Sequence, residues 1–440
     1  MKSAFTTIIC ATLFALLTFP AWAQTVVRAD IRQAFDRDSR YERDQRDADD
    51  ADWSPNDAHE QREPRGIRKY ITNVEELYSA VNNSANAGTT LVLARGTYML
   101  SGSDPNNVPR LKGGRIELQP DMSLVGVRGD RDAVVISAHN LPASSFPATV
   151  NGVATGPNAA VRIGLGHNAV EWLTVRDAIF AQANIDSGLQ PLDPGTTFIR
   201  VEHVASTGST RGLNILNFGP QTSGQTIEAD IVDCYFFDND FGISEGVRMG
   251  NFAGATGSTV NVWMSGNRSW GQATGRLIVD NTAIASTVNV VSSRNRFYGN
   301  GAGTIIAGGL TGGTKRADGN TINFEAHGDE FIDNTGATAF DHGGLVVLGG
   351  ENASPSGGGG SNNTVNVQLW DCRMLGNNTS DLTGIGGRSL PSGNPSLNQN
   401  NHVTIEIKDD GDERRRRQPV EIFTDSIPAV PDYGNSVTVN

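Results

Sequence analysis

Five stretches of the chain repeat one pattern: QTIEADIVDCYFFDN, STVNVWMSGNRSWGQ, STVNVVSSRNRFYGN, NTINFEAHGDEFIDN and NTVNVQLWDCRMLGN. Their lead threonines, Thr226, Thr259, Thr287, Thr321 and Thr364, lie 33, 28, 34 and 43 residues apart. A fixed core on an elastic period marks stacked coils whose strands recur while their loops vary. Such coils touch only their neighbours, so the repeats describe one elongated domain rather than several globular ones. The 51 glycines, with abundant Asn, Thr and Val, fit β-strands joined by tight turns.

One coil can be read from the repeats. Its first positions alternate, as in Val260, Val262 and Met264 or Val288, Val290 and Ser292, which turns one set toward a core. Eight residues after the lead stand Cys234, Asn267, Asn295, Asp329 and Cys372; thirteen after it stand Asn239, Gln272, Asn300, Asn334 and Asn377. Asparagine recurring at a corner predicts a ladder of amides bonded from coil to coil, in a turn whose left-handed backbone Asn tolerates. A sugar-binding row of amides is the other reading. A second family of strands follows: LNILNFG, GISEGVRMG, RLIVDN, TIIAGG, LVVLGG and LTGIGG. With Leu277, Ile305 and Leu345 turned inward, Ile278, Ile306 and Val346 make an outward apolar stripe. That stripe needs a cover from the chain's own loops or from another subunit, which leaves a homo-oligomer open.

The N-terminus has other properties. One basic residue, Lys2, precedes an apolar run from Ala4 to Phe19, and Ala21-Trp22-Ala23 fits a signal-peptidase site. Residues 1–23 therefore read as a signal peptide, and the mature protein as exported to the periplasm or outside the cell. The run is too short and interrupted to span a bilayer, and no later segment reads as a span. Residues 24–68 mix acidic and basic side chains with little apolar periodicity and read as a charged, disordered linker. From 73 to 87, Val74, Leu77, Tyr78 and Val81 share a helical face, with Asn73 and Glu76 as an N-cap pair. This helix is placed to cap the first coil.

The formal charge of −13 argues against nucleic acid, which demands basic patches. It also disfavours polyanionic sugars unless a cation or an arginine cluster intervenes. Arg414 to Arg417, beside four carboxylates, read as a self-neutralising loop or as a carboxylate-binding fork. Cys234 and Cys372 share one repeat position four coils apart, about 19 Å along the stack. A disulfide spans at most about 7 Å between Cα atoms, so two free, buried thiols are expected.

Residues 70–440 resemble the pectin-lyase-like right-handed parallel β-helix superfamily. The resemblance rests on the helix leading into Gly96-Thr97-Tyr98 and on Leu124-Val125-Gly126 before a short apolar strand. It implies an all-β fold, a single-stranded right-handed parallel β-helix of about ten coils over 69–440. The superfamily hosts lyases, hydrolases, esterases and non-enzymatic surface proteins, so activity is not implied. The Asn-Thr-Asp, Asp-Asp and Gly-His-Gly set of polygalacturonases is absent, as is the pectate-lyase Trp-x-Asp-His signature with its arginine motif.

On this fold chemistry sits on a sheet face. A lyase must neutralise a uronate carboxylate and remove a proton, whereas a hydrolase needs two carboxylates roughly 5 to 9.5 Å apart. Glu245, Arg248, Arg276 and Asp280 are the catalytic candidates; Asn214, Asn217, Asp341 and His342 are candidates for binding substrate. Asp233, Asp238 and Asp240, expected near one corner, are oxygen ligands suited to Ca²⁺. Ion pairs between coils give the same sequence pattern. Two functions follow: binding or processing of extracellular polysaccharide, as a lyase or glycoside hydrolase, or a non-catalytic structural or adhesive surface role.

Overall fold

The computed structural model describes residues 67–440 apart from 148, 151–152, 155–157, 188–194, 240–244, 253, 273–274, 301–303, 312–315, 336–343, 353–357, 378–379, 390–396, 409–419 and 426–432. The expected signal peptide and Arg414–Arg417 lie outside the described residues, as does the expected linker up to residue 66.

The repeats stack in register. Thr226 pairs with Thr259, Thr259 with Thr287, Thr287 with Thr321, and Thr321 with Thr364, every pair parallel. Successive coils build three parallel sheets of twelve, nine and eleven strands, here the first, second and third sheets. The first runs from Arg68–Ile71 to Ser436–Val439, the second from Gly96–Ser101 to Arg373–Leu375, the third from Ile116–Glu117 to Val420–Asp425. The stacked coils are those expected from the repeats, and the architecture is the right-handed parallel β-helix that the resemblance implies. The inward set of each lead strand is fully buried: Val260, Val262 and Met264; Val288 and Val290; Ile322, Phe324 and Ala326; Val365, Val367 and Leu369.

Helix α1, Val74–Val81, is followed by a short 3-10 turn at Ser84–Asn86, so the expected 73–87 helix divides in two. Asn73 Oδ1 accepts the Glu76 N–H at 2.9 Å. The Glu76 carboxylate reaches back to the Thr72 N–H at 2.8 Å, one residue before the expected partner. Tyr78 and Leu77 bury one face of α1, and the Tyr78 hydroxyl donates to Gly114 O at 2.7 Å. Tyr98 anchors the first coil by donating to Ile71 O at 2.8 Å. Among the described residues no helix is long and apolar enough to cross a membrane.

Three corners repeat one device. Asp233, Gly266, Arg294, Gly328 and Asp371 turn the chain from the first sheet to the second with φ between 50° and 66°. The next residue points inward, and its side-chain oxygen accepts the backbone N–H one coil earlier: Asn267 for Cys234, Asn295 for Asn267 and the Asp329 carboxyl for Asn295, each at 2.8 Å. The corner at Asp238, Gly271, Gly299, Asp333 and Gly376 does the same through Asn300, Asn334 and Asn377. A third ladder, not noticed in the sequence, stands just before each lead residue: Asn320, Asn363, Asn401 and Asn435. Each amide removes an otherwise orphaned buried N–H, worth about 1–3 kcal/mol. The asparagines are therefore internal, which overturns the reading of these columns as a sugar-binding row.

Cys234 and Cys372 are free and buried, as expected. The Cys234 thiol donates to the carbonyls of Val201 and Val232, and burial pushes its pKa up to about 12.

Asp329 is the exception in its ladder. It is fully buried, accepts from the Ser292 hydroxyl and the Asn295 amides, and burial pushes its pKa up to about 7 despite those bonds. A carboxyl raised in the fold favours folding below its unfolded value near 3.9 and loses that contribution as pH rises through about 7, on the order of 4 kcal/mol. Urea unfolding should show stability declining from pH 5 to 8 in the wild type and a flatter profile in Asp329→Asn; equal slopes would refute the assignment. Asn295→Ala, which strips the acceptor from the Asn267 N–H, should cost about 1–3 kcal/mol by the same measurement.

Candidate functional site on the third sheet

The outward column of the third sheet is polar through five coils. Glu117 pairs in register with Arg162, Arg162 with Asp186, Asp186 with Asn214, and Asn214 with Arg248. Asn214 faces outward because Leu213 and Ile215 on either side enter the core. The column then turns apolar as Ile278, Ile305 and Val346. The sequence parity slips by one at this strand: Ile306, not Ile305, faces the core, beside Val279 and Val347. Within the single chain Ile278 and Val346 of the corrected stripe are buried, 6% and 1% exposed, and Ile305 is half-buried.

Glu245, Arg248 and Asp280 do converge. Arg248 grips Asp280 with two bonds, Nη2 to Oδ2 at 2.6 Å and Nε to Oδ1 at 3.2 Å, and its Nη1 lies 3.8 Å from Glu245 Oε1. Arg211, which the sequence reading missed, donates through Nε to Glu245 and stands directly opposite it in register. Two arginines and two carboxylates make a neutral quartet. Gly250 stands opposite Asp280 in register at φ 150°, where a Cβ would strike the Asp280 carbonyl. A side chain is excluded there by the neighbouring backbone. Phe252 lies under the Arg248 guanidinium, 4.6 Å from ring centroid to Cζ.

Burial pushes Asp280 above the usual carboxylate range, and the Arg248 fork offsets only part of this. Burial alone would lower Arg248, but the Asp280 and Glu245 carboxylates reverse that and hold it above the ordinary arginine value. Neither carboxylate of the quartet is a free base in this arrangement. Asn214, wholly buried between Asp186 and Arg248 in the column, leaves both Nδ2 and Oδ1 without a hydrogen-bond partner.

Other expected residues fall elsewhere. Arg276 lies in the strand Gly275–Asn281, with its side chain outside the described residues, as are Asp341, His342 and Asp240. Asn217 is no substrate ligand on an open face. It forms a further internal ladder, donating to Asn251 Oδ1 at 2.9 Å, and Asn251 donates to Asn281 Oδ1 at 3.0 Å. Asp233 and Asp238 occupy two different corners, at opposite ends of the strand Tyr235–Phe237, and each abuts a glycine of the next coil, Gly266 and Gly271. Among the described residues no three Asp, Glu, His or Cys side chains gather as a metal site.

A second ionic cluster escaped the sequence. Glu171 and Glu202 are register partners on the first sheet; Arg200 joins them, and His203 stacks on Trp172 at 3.7 Å. Burial and the Glu202 charge raise Glu171, while His203 and Arg200 hold Glu202 below its usual value against the opposing effect of burial. Glutamate closing two successive strands of the first sheet, His167–Glu171 and Thr196–Glu202, was the available signal.

No protein-family model matches the chain, and no curated protein matches it. Among solved structures it is similar to pectate lyase Pel9A, with 12% identity over 83% of this chain and 81% of that one, TM-score 0.35. It is similar to the Azotobacter vinelandii mannuronan C-5 epimerase AlgE4 A-module, with 13% identity over 84% and 97%, TM-score 0.31. PfbA, a surface adhesin of Streptococcus pneumoniae, gives 10% identity over 82% and 93%, TM-score 0.30. Likenesses this distant say nothing of what this chain does.

Removing one partner of the quartet should be costlier than removing both. Arg248→Met leaves Asp280 buried and unpaired, a loss of about 3–5 kcal/mol, whereas adding Asp280→Leu should recover much of it. Urea unfolding of both variants decides: a double variant no more stable than the single one contradicts the pairing.

Proposed function

We propose that the protein is exported and binds or processes extracellular polysaccharide on the third sheet, with Asn214, Arg248, Glu245 and Asp280 as the contact residues. The supporting observation is Asn214, whose unpartnered buried amide lies in one column with Asp186 and Arg248. An amide offers both donors and acceptors, and a sugar hydroxyl takes both. Arg248 supplies the fixed cation that a carboxylated sugar would need in a chain of formal charge −13. If turnover occurs, Asp280 or Glu245 must be released from its arginine as the substrate carboxylate takes its place. Ca²⁺ dependence is a separate part of this reading, but Asp233 and Asp238, on different corners, do not hold one ion together.

The ion pairing also favours a second reading, a structural or adhesive surface protein without catalysis. Both carboxylates are engaged, and engaged groups serve rigidity as well as chemistry. The apolar stripe gives little support to a partner subunit, because Ile278 and Val346 are buried within the single chain.

A glycan array with and without Ca²⁺, coupled to detection of unsaturated uronate products, separates the readings. Binding that falls at least tenfold in Asn214→Leu and Arg248→Gln, with unfolding unchanged or improved in Asn214→Leu, is the expected outcome. Turnover lost in Asp280→Asn would make the site catalytic. Full binding in all three variants would remove the site.

A further inference from the structure

The first sheet presents a regular outward face that the third-sheet reading does not use. Three columns run along it in unbroken register. One holds Thr226, Thr259, Thr287, Thr321 and Thr364; the next holds Asn261, Asn289, Asn323 and Asn366, beginning at Glu228 and ending at Thr404. The third holds Asp230, Trp263, Val291, Glu325, Gln368 and Glu406. Alternate residues, such as Val260, Val262, Val288 and Val290, enter the core, so these side chains face solvent. Trp263 is 40% and Val291 39% exposed.

The asparagine column is locked. Asn261 Nδ2 donates to Glu228 Oε1 at 2.8 Å, Asn289 to Asn261 at 2.7 Å, Asn323 to Asn289 at 2.8 Å and Asn366 to Asn323 at 2.9 Å. Asn261, Asn289 and Asn323 each use one donor and one lone pair in the ladder, and so retain one of each for a ligand. Thr is stiff at χ1, so the neighbouring hydroxyls are also held. The face therefore offers pre-organised donors and acceptors at the strand repeat of about 4.8 Å, with little side-chain entropy left to lose.

The geometry points to this face as a docking surface for a neutral polysaccharide chain lying along the helix axis. The Thr and Asn columns hold no ionisable side chain from Thr259 to Asn366, while Glu228, Asp230, Glu325 and Glu406 flank them. Glu325 is paired with His327 and Glu406 with Lys408, and Arg200 stands opposite Asp230. Beside the Thr and Asn rows the described cations are thus matched by carboxylates, and a uronate or other polyanion gains no counter-charge there. A second copy of the chain is disfavoured because the centre of the face is polar, whereas protein interfaces bury an apolar core. A polysaccharide uses both components: its hydroxyls exchange bonds with the Thr and Asn rows, and its C–H faces lie on Trp263 and Val291. Its repeating ring matches a repeating lattice. Only the ligand class is shared with the third-sheet proposal; the residues and the charge preference differ.

Co-sedimentation of the full mature chain with insoluble cellulose and chitin at low and high salt tests this. Retention on at least one, insensitive to salt, is expected. It should fall at least tenfold in Trp263→Ala and in the Thr287→Val/Thr321→Val pair, which keeps the β-branched shape and removes only hydroxyls. The third-sheet site, built around arginine, calls for carboxylated sugars and salt-sensitive binding, so salt-insensitive retention that falls only in the first-sheet variants separates the two faces. No retention on either solid, retention lost at high salt, or retention unchanged in the face variants overturns the proposal. So does a concentration-dependent dimer that the same variants abolish.

Discussion

The fold depends on how each corner closes. A parallel sheet stacks only if every coil returns to the same cross-section, and that return is set by one left-handed residue followed by one inward amide. The residue bends the strand, and the amide takes the backbone N–H that the bend would orphan inside the core. Because each amide oxygen serves the coil before it, the corners align neighbours as well as satisfying themselves. Loop length is then immaterial to register, which is why 28 and 43 residues can separate equivalent threonines.

That constraint explains what could be read from residues alone. The lead strands were legible because Thr-Val-Asn-Val alternates with period two and recurs with its corner residues at fixed offsets. The free thiols followed from Cys234 and Cys372 sharing an offset. The third sheet was harder. Its strands follow loops of variable length, so no fixed offset sets their phase, and TIIAGG alternates equally well in either parity. Ile305 and Ile306 were exchanged for that reason. Arg211 was missed because its partner, Glu245, lies one coil away, and nothing local in GLNILNFG marks it as ionic. Asn217 was misassigned because an inward asparagine and an outward one look alike until the parity is known.

The third-sheet quartet and the corner ladders solve different problems with buried polar groups. In the ladders neutral amides meet backbone, and the desolvation cost is modest because every donor finds an acceptor. In the quartet, charges leave water, and mutual attraction offsets that loss only while all four groups are in place. Asp329 stands between the two cases: a carboxyl in an amide's place, held near neutrality by its surroundings. Asn214 belongs to neither, since its polar atoms meet nothing among the described residues.

The in-register threonines have a consequence for length. Since Thr259 occupies the same place in its coil as Thr287, the 28 residues between them form an interchangeable module. Excising or duplicating that module would shorten or extend the molecule by one step while every seam still joined like to like. The cross-section is thus specified locally, whereas the span of the molecule is a matter of how many modules the gene happens to encode.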